Sequence, residues 1–327
     1  MKREFFAVLF TAPLIWTCLS SQGLAETYPS QPIRIIVPAA AGGVLDVVVR
    51  RLTDKLSRSL GQPIVVDNRP GANGLIGADA AARAKPDGYT VFFAAANVLC
   101  ANPALYSKLP YDPVRDFAPV TLGARGNPIL LVSPRLPVKT LPEFIAYAKA
   151  RPGQVTYGSP AIGSAQHLAA KLLEQLAGID MVHVPYKNQP QVIVDLIGGH
   201  IDMAIEFAAV AIPHIKAGKV RALAIVGPRR KPAIPDVPTA AELGLPAFDL
   251  ASWNGFLVPS GTPPEIVARL NKEIVAALRQ PDFVEWIDNN GSDVVASTPD
   301  EFASYMKAEL VRWSKIVRDA RIQVELE

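Results

Sequence analysis

The chain has 327 residues with 33 basic and 30 acidic side chains, a formal charge of +3, which is too balanced to neutralise a run of phosphates and disfavours a nucleic-acid partner. Thirty prolines, about 9% against a usual ~5%, describe a turn-rich globular protein rather than a disordered one. At about 150 residues per domain the length predicts two domains.

The first element in chain order is an export signal. Lys2 and Arg3 form a basic head, Phe5 to Trp16 an apolar run, and Gly23-Leu24-Ala25 a small-x-small cleavage site. Pro13 within the run argues against a buried N-terminal helix, and Trp16-Thr17 before Cys18 argues against lipidation. Cleavage after residue 25 leaves 302 residues and removes Lys2, Arg3 and Glu4, so the formal charge falls to +2. Cys100 is then the only cysteine, and no intramolecular disulfide can form. No second long apolar stretch follows, so the mature chain is expected in the periplasm as a soluble protein.

From there, β-branched runs alternate with helical periods, the pattern of parallel α/β layers. Strands are predicted at Ile33–Val37, Ile64–Asp67, Tyr89–Ala95, Val155–Gly158, Met181–Val184, Ile201–Ile205 and Val220–Val226. Helices are predicted at Val44–Leu60, ended by Gly61, and at Leu141–Ala150, Ser164–Ala177, Gln191–Ile197 and Ala209–Ala217. Asn97 to Asn127 reads as a long irregular stretch approaching an interdomain crossing. Amphipathic helices return at Pro264–Leu278, Asp282–Asn289 and Pro299–Ala320, the last expected to pack back on the first domain. Thr140, Thr239, Thr262 and Thr298, each three residues before a Glu, match the capping box. Pro263 and Pro299 are predicted at first helical positions, where the missing N–H costs nothing.

Catalytic and metal signatures are scarce. The histidines at 167, 183, 200 and 214 offer no i, i+4 metal pair. No nucleophile elbow or Walker loop occurs, and Asn68–Gly74 reads as a turn feeding a helix. Neither a metal nor a cofactor is expected. Two loops are suited to anions: Pro38–Asp46, with Gly42-Gly43 before a helix, and Gly158–Ser164. Free amides and the helix dipole favour a carboxylate or phosphate at such a place, although each loop is also readable as a tight βα turn without a ligand. Glu206 interrupts the apolar run Met203–Ile212. It is either a functional carboxylate or a solvated strand end.

The run Tyr28–Pro38 (YPSQPIRIIVP) followed by Gly42-Gly43-x-x-Asp46 resembles the opening of the Bug/TctC family, the extracytoplasmic binding proteins of tripartite tricarboxylate transporters. Gly61–Ala72, Lys85–Thr90, Val182–Lys187, Gly198–Met203, Pro235–Thr239, Trp253-x-Gly255 and Pro259–Pro263 continue the likeness over essentially the whole mature chain. The resemblance implies a type II periplasmic-binding-protein fold, an α/β protein of two lobes with a central ligand cleft. Lobe 1 would comprise residues 26–126 and 250–327, and lobe 2 residues 127–249. It also implies a non-enzymatic monomer that closes on a small carboxylate and delivers it to the large and small membrane subunits of such a transporter. The ligand-binding candidates are Ala40, Gly42, Gly43 and Asp46 of the first loop, Asn97, Ser159, Ile162, Gly163 and Ser164, then Glu206 and Phe207. Leu45, Ala161-Ile162 and Asn188-Gln189 stand where the family often has small or polar groups, which points to a less polar or aromatic carboxylate. An exported sensor subunit signalling to a membrane kinase is the alternative. A hydrolase is disfavoured, because Ser159 or Ser164 with His167 is the only local nucleophile–base pair and lacks an orienting acid.

Overall fold

The computed structural model describes residues 28–227, 229–320 and 322, so the predicted signal segment and Cys18 lie outside the described residues. The chain begins with β1 (Ile33–Val37), α1 (Val44–Leu60), β2 (Ile64–Asn68), α2 (Leu75–Ala82) and β3 (Thr90–Ala95). α1 buries Val48, Val49, Leu52, Leu56 and Leu60, the spacing of one helical face. Gly61 ends it in the left-handed region at φ 71°, its amide returning to Ser57 O.

The stretch 97–127 is more ordered than its composition suggests. A π-type turn at Asn97–Ala101 leads into α3 (Asn102–Leu105), then the ten-residue β4 (Phe117–Gly126). Pro119, Gly123 and Gly126 look like strand breakers in the sequence, but β4 pairs with two neighbours, and its pairing to β10 skips Val120 and Gly123, two bulges within β4 itself. After Asn127 the chain runs straight into β5 (Pro128–Val132), the first strand of the second sheet. Then come α4 (Leu141–Lys149), β6 (Val155–Ser159), α5 (Ala165–Ala177), β7 (Met181–Pro185), α6 (Gln189–Gly198), β8 (Met203–Phe207), α7 (Ala208–Lys216) and β9 (Arg221–Ile225). The chain returns through β10 (Ser252–Pro259), α8 (Pro264–Leu278), α9 (Pro281–Asn289), β11 (Ser292–Val294) and α10 (Pro299–Asp319).

The result is a two-lobed α/β fold with sheet orders β11-β4-β10-β3-β1-β2 and β7-β6-β8-β5-β9. Both sheets are mixed rather than all-parallel. β1, β2 and β3 are parallel, as are β6, β7 and β8, whereas β4, β5, β9, β10 and β11 pair antiparallel to their neighbours. Side chains alternate across the strands: Ile33, Ile35 and Val37 join the core under α1 and α8, and Ile36 joins the opposite one. β10 contains Asn254-Gly255, a turn signal on paper. Here Gly255 is needed because a Cβ would lie 2.4 Å from Phe302 Cζ.

The four capping boxes fared differently. Thr298 and Glu301 form the complete box at α10, with Pro299 at its first position. Thr140 caps α4, but Glu143 reaches back to the Lys139 amide instead of Thr140. Thr239 and Glu242 satisfy each other across a turn that no helix follows. Thr262 donates to Pro259 O, and α8 begins at Pro264 with Pro263 as its uncapped flank. α10 packs on the π-type turn, β4 and α5, so it leans on both lobes. Its Glu309 accepts the indole N–H of Trp253 and of Trp313, each at 3.0 Å.

Candidate functional site

A cavity of about 600 Å³ lies between the two sheets. From the first sheet come Gly42 and the start of α1 (Val44, Leu45, Val47, Val48), with Asn73 and Asn97. The second contributes Pro160, Ser164, Ala165 and Gln166, then Gln189, Phe207, Ala208 and Ala209. Gly126 and Ser252 to Asn254 line it where the chain crosses between sheets, and Trp286 and Asn290 to Ser292 close the remaining side. None of the lining residues carries a charged side chain. An anion inside must therefore be held by dipoles rather than by an ion pair with the wall.

The dipoles are supplied by helix N-termini. Gly43 flanks α1 and Phe207 flanks α7, and neither offers a side-chain cap, so no side chain takes the first amides of either helix. Residues of both first turns line the cavity. At α5 the Ser164 hydroxyl accepts from the His167 amide at 3.2 Å. Three helix starts thus converge, each favouring negative charge by about 0.3–1 kcal/mol and up to ~2 when partly buried. On the wall, Asn97 Nδ2 donates to Asn73 Oδ1 and Asn73 Nδ2 to Asn102 Oδ1, fixing the amides in place.

Of the residues singled out in the sequence, Gly42, Asn97, Ser164 and Phe207 line this cavity. The others do not line it, and Ala40 and Ile162 are exposed. Gly43 donates to Ala40 O at 3.1 Å, closing the first loop. Asp46 is buried and its carboxylate accepts the Gly42 amide at 2.8 Å, so it braces the loop from within and occupies a donor the sequence left open. The Arg50 guanidinium bonded to it holds the Asp46 carboxyl below the usual range. In the second loop Gly163 donates to His167 Nδ1 at 2.9 Å, Ser159 is fully buried and Ile162 is exposed. Glu206 is neither a wall residue nor a solvated strand end. It is 0% exposed, accepts from Gln189 Nε2 and leaves Oε1 without a partner. Burial pushes its carboxyl up to about 7.

Spacing along the chain gave no hint of a histidine pair that the fold assembles. His167 and His183 stack with ring centroids 4.0 Å apart and planes 9° from parallel. Ser159 Oγ donates to Ala161 O, leaving its oxygen to accept from His183 Nε2 at 2.7 Å. Burial pushes His167 down to about 3 and His183 down to about 4, so both are neutral near pH 7. This serine–histidine contact serves the second loop, and no described carboxylate bonds either ring. Sequence reasoning placed a helix at Ala209–Ala217 and named Phe207, but it did not single out Ala208 and Ala209 or the 286–292 wall. The first turn of α7, Ala208-Ala209-Val210-Ala211, carries no polar signal, and Trp286 reaches the cavity through the tertiary path of α9.

Two close approaches fasten the cavity's rim. A Cβ on Gly291 would lie 1.9 Å from Ala208 Cβ, and one on Gly163 would lie 2.8 Å from Leu105 Cδ1. Both glycines have positive φ, 72° and 77°, so each supplies a backbone shape and a separation that a side chain would forbid.

Residues 48–322 match the family profile described as "Tripartite tricarboxylate transporter family receptor", TctC. The protein BugT of Bordetella pertussis is 39% identical over 296 residues, covering 90% of this chain and 91% of BugT. A solved R. palustris protein with adipate superposes with TM-score 0.82 at 33% identity, covering 91% of this chain and all of that one. MatC from Rhodopseudomonas palustris with bound malate gives 0.78 at 34% identity, covering 89% and 100%.

Proposed function

The chain belongs to the TctC family of tripartite tricarboxylate transporter receptors, and on that premise we propose that it captures one small carboxylate in the cavity between its lobes and hands it to the membrane subunits of such a transporter. The observation that carries the reading is the convergence of the starts of α1, α5 and α7 on a cavity with no charged wall. Family membership makes it an extracytoplasmic solute-binding protein, and related proteins have been solved with adipate and with malate. A cleaved signal within residues 1–25 supports export to the periplasm. The lobes are taken as residues 26–126 with 250–327 and residues 127–249, a division supported by the crossings after β4 and before β10. The protein acts as a monomer.

The ligand is a carboxylate with an apolar body. Trp286, Phe207, Val44, Leu45 and Val47 present apolar surface, and polar contacts are confined to asparagine and glutamine amides, Ser164, Ser252, Ser292 and backbone. A citrate-like trianion would bring three charges into a cavity without a basic side chain. A thermal-shift panel tests this. Saturation at 100 times Kd stabilises by about 2.7 kcal/mol, and benzoate- or adipate-type acids should shift the melt more than malate or citrate. A shift by citrate alone would overturn the ligand class, and no shift by any carboxylate would overturn the site.

A further inference from the structure

A second recess, of about 560 Å³, opens behind the strands that carry Gly126 and Ser292 to the ligand cavity. β11 pairs with β4 so that Ser292 stands opposite Gly126, and Asp293 opposite Arg125. Successive side chains alternate across a sheet. Arg125 and Asp293 accordingly line the rear recess while their neighbours line the front cavity. Arg229, from the segment after β9, and Arg279, at the end of α8, join them, and the Arg125 guanidinium lies 5.3 Å over the Tyr305 ring.

Three arginines and two carboxylates, Asp293 and Glu301, line this recess, with Glu309 and Asp249 also near Tyr305. Asp293 is shared by Lys231 at 3.0 Å and Arg229 at 3.5 Å. Glu301 is committed to the α10 cap, accepting from the Thr298 amide. Arg279 donates to Ala296 O. Arg125 Nε and the Tyr305 hydroxyl are buried with no hydrogen-bond partner among the described residues. Buried donors are almost always satisfied, and guanidinium forks pair best with oxyanions. The front cavity shows the opposite design, with no charged wall.

We propose that this rear recess is a second binding site, for a small tetrahedral oxyanion of the phosphate or sulfate type, held by Arg125, Arg229 and the Tyr305 hydroxyl. The anion joins Arg125 and Tyr305 of the six-stranded-sheet lobe to Arg229, which follows the last strand of the other sheet.

The test is titration of the full exported chain with inorganic phosphate against chloride at matched ionic strength, followed by calorimetry and melting temperature. Saturable phosphate binding is expected, weakened at least tenfold by Arg125→Gln. The proposal is overturned if the unmodified chain shows no saturable phosphate binding, or if Arg125→Gln binds as well as it does. Should Arg125→Gln fail to fold, Arg229→Gln, whose side chain is 72% exposed, carries the same expectation and the same refutation. Val44→Asp in the front cavity separates the two sites. Unchanged phosphate affinity supports the rear recess, and its loss would place the anion in front instead. None of these outcomes depends on which carboxylate fills the front cavity.

Discussion

The stacked histidines make the second loop acid-sensitive, with a magnitude that the structure sets. His167 is held at about 3 and His183 at about 4, burial being the first cause for each, against an ordinary value of 6.5. A histidine whose value is depressed in the fold favours the neutral ring there. Its contribution is complete above 6.5 and is lost as pH falls below 6.5 toward the folded values. Each unit is worth about 1.4 kcal/mol, so at pH 5.0 each ring taken alone costs about 2 kcal/mol. The rings are 4.0 Å apart and titrate as a pair, so the expected combined loss between pH 7.5 and 5.0 is about 2 to 4 kcal/mol. Denaturant unfolding at both pH values measures it, with a His167→Gln/His183→Gln double variant as reference, because the carboxylates titrate alike in both proteins. The native chain should lose about 2 to 4 kcal/mol more than the variant. Parallel losses would refute the reasoning. Because His167 holds the Gly163 amide in the loop before α5, ligand affinity should also fall with pH over this range, and less steeply in the variant.

Three further outcomes are expected. Val44→Asp puts a carboxylate at the first position of α1, where the dipole stabilises it by about 0.3–1 kcal/mol; with no basic wall residue to neutralise it, carboxylate binding should fall at least a hundredfold by calorimetry while the melting temperature holds or rises. Gly291→Ala drives a methyl into Ala208 at a positive φ and should cost about 1–3 kcal/mol of stability by strain and overpacking and weaken ligand binding, both readable in one thermal-shift series with and without ligand. Glu309→Ala strands the indole N–H groups of Trp253 and Trp313; loss of a buried charged acceptor should destabilise by about 3–5 kcal/mol in denaturant unfolding.

Local rules went far along the parallel parts of the chain. The strand at Ile33–Val37 and the helix at Val44–Leu60 with its Gly61 stop follow from residue period and cap chemistry, which act within a few residues. The antiparallel strands β4 and β10 did not. Their Pro119, Gly123 and Gly255 are read locally as breakers, yet Gly255 serves the packing of Phe302 and β4 is stabilised by partners more than 120 residues away. For the site, the glycine loop before α1 was visible because free amides at a helix start are a local property. Asp46's role was hidden, because only the folded loop shows its carboxylate already holding the Gly42 amide.

The sequence by itself determined an α/β chain, its likeness to the TctC family and the absence of a strong overall field, since composition, period and caps are written residue by residue. Only the tertiary structure decided that the cavity wall would carry no charge, that three helix starts would meet there, and that His167 would lie flat on His183. Those facts depend on which side chains two separate sheets bring within a few ångströms of each other, and that juxtaposition has no counterpart in spacing along the chain.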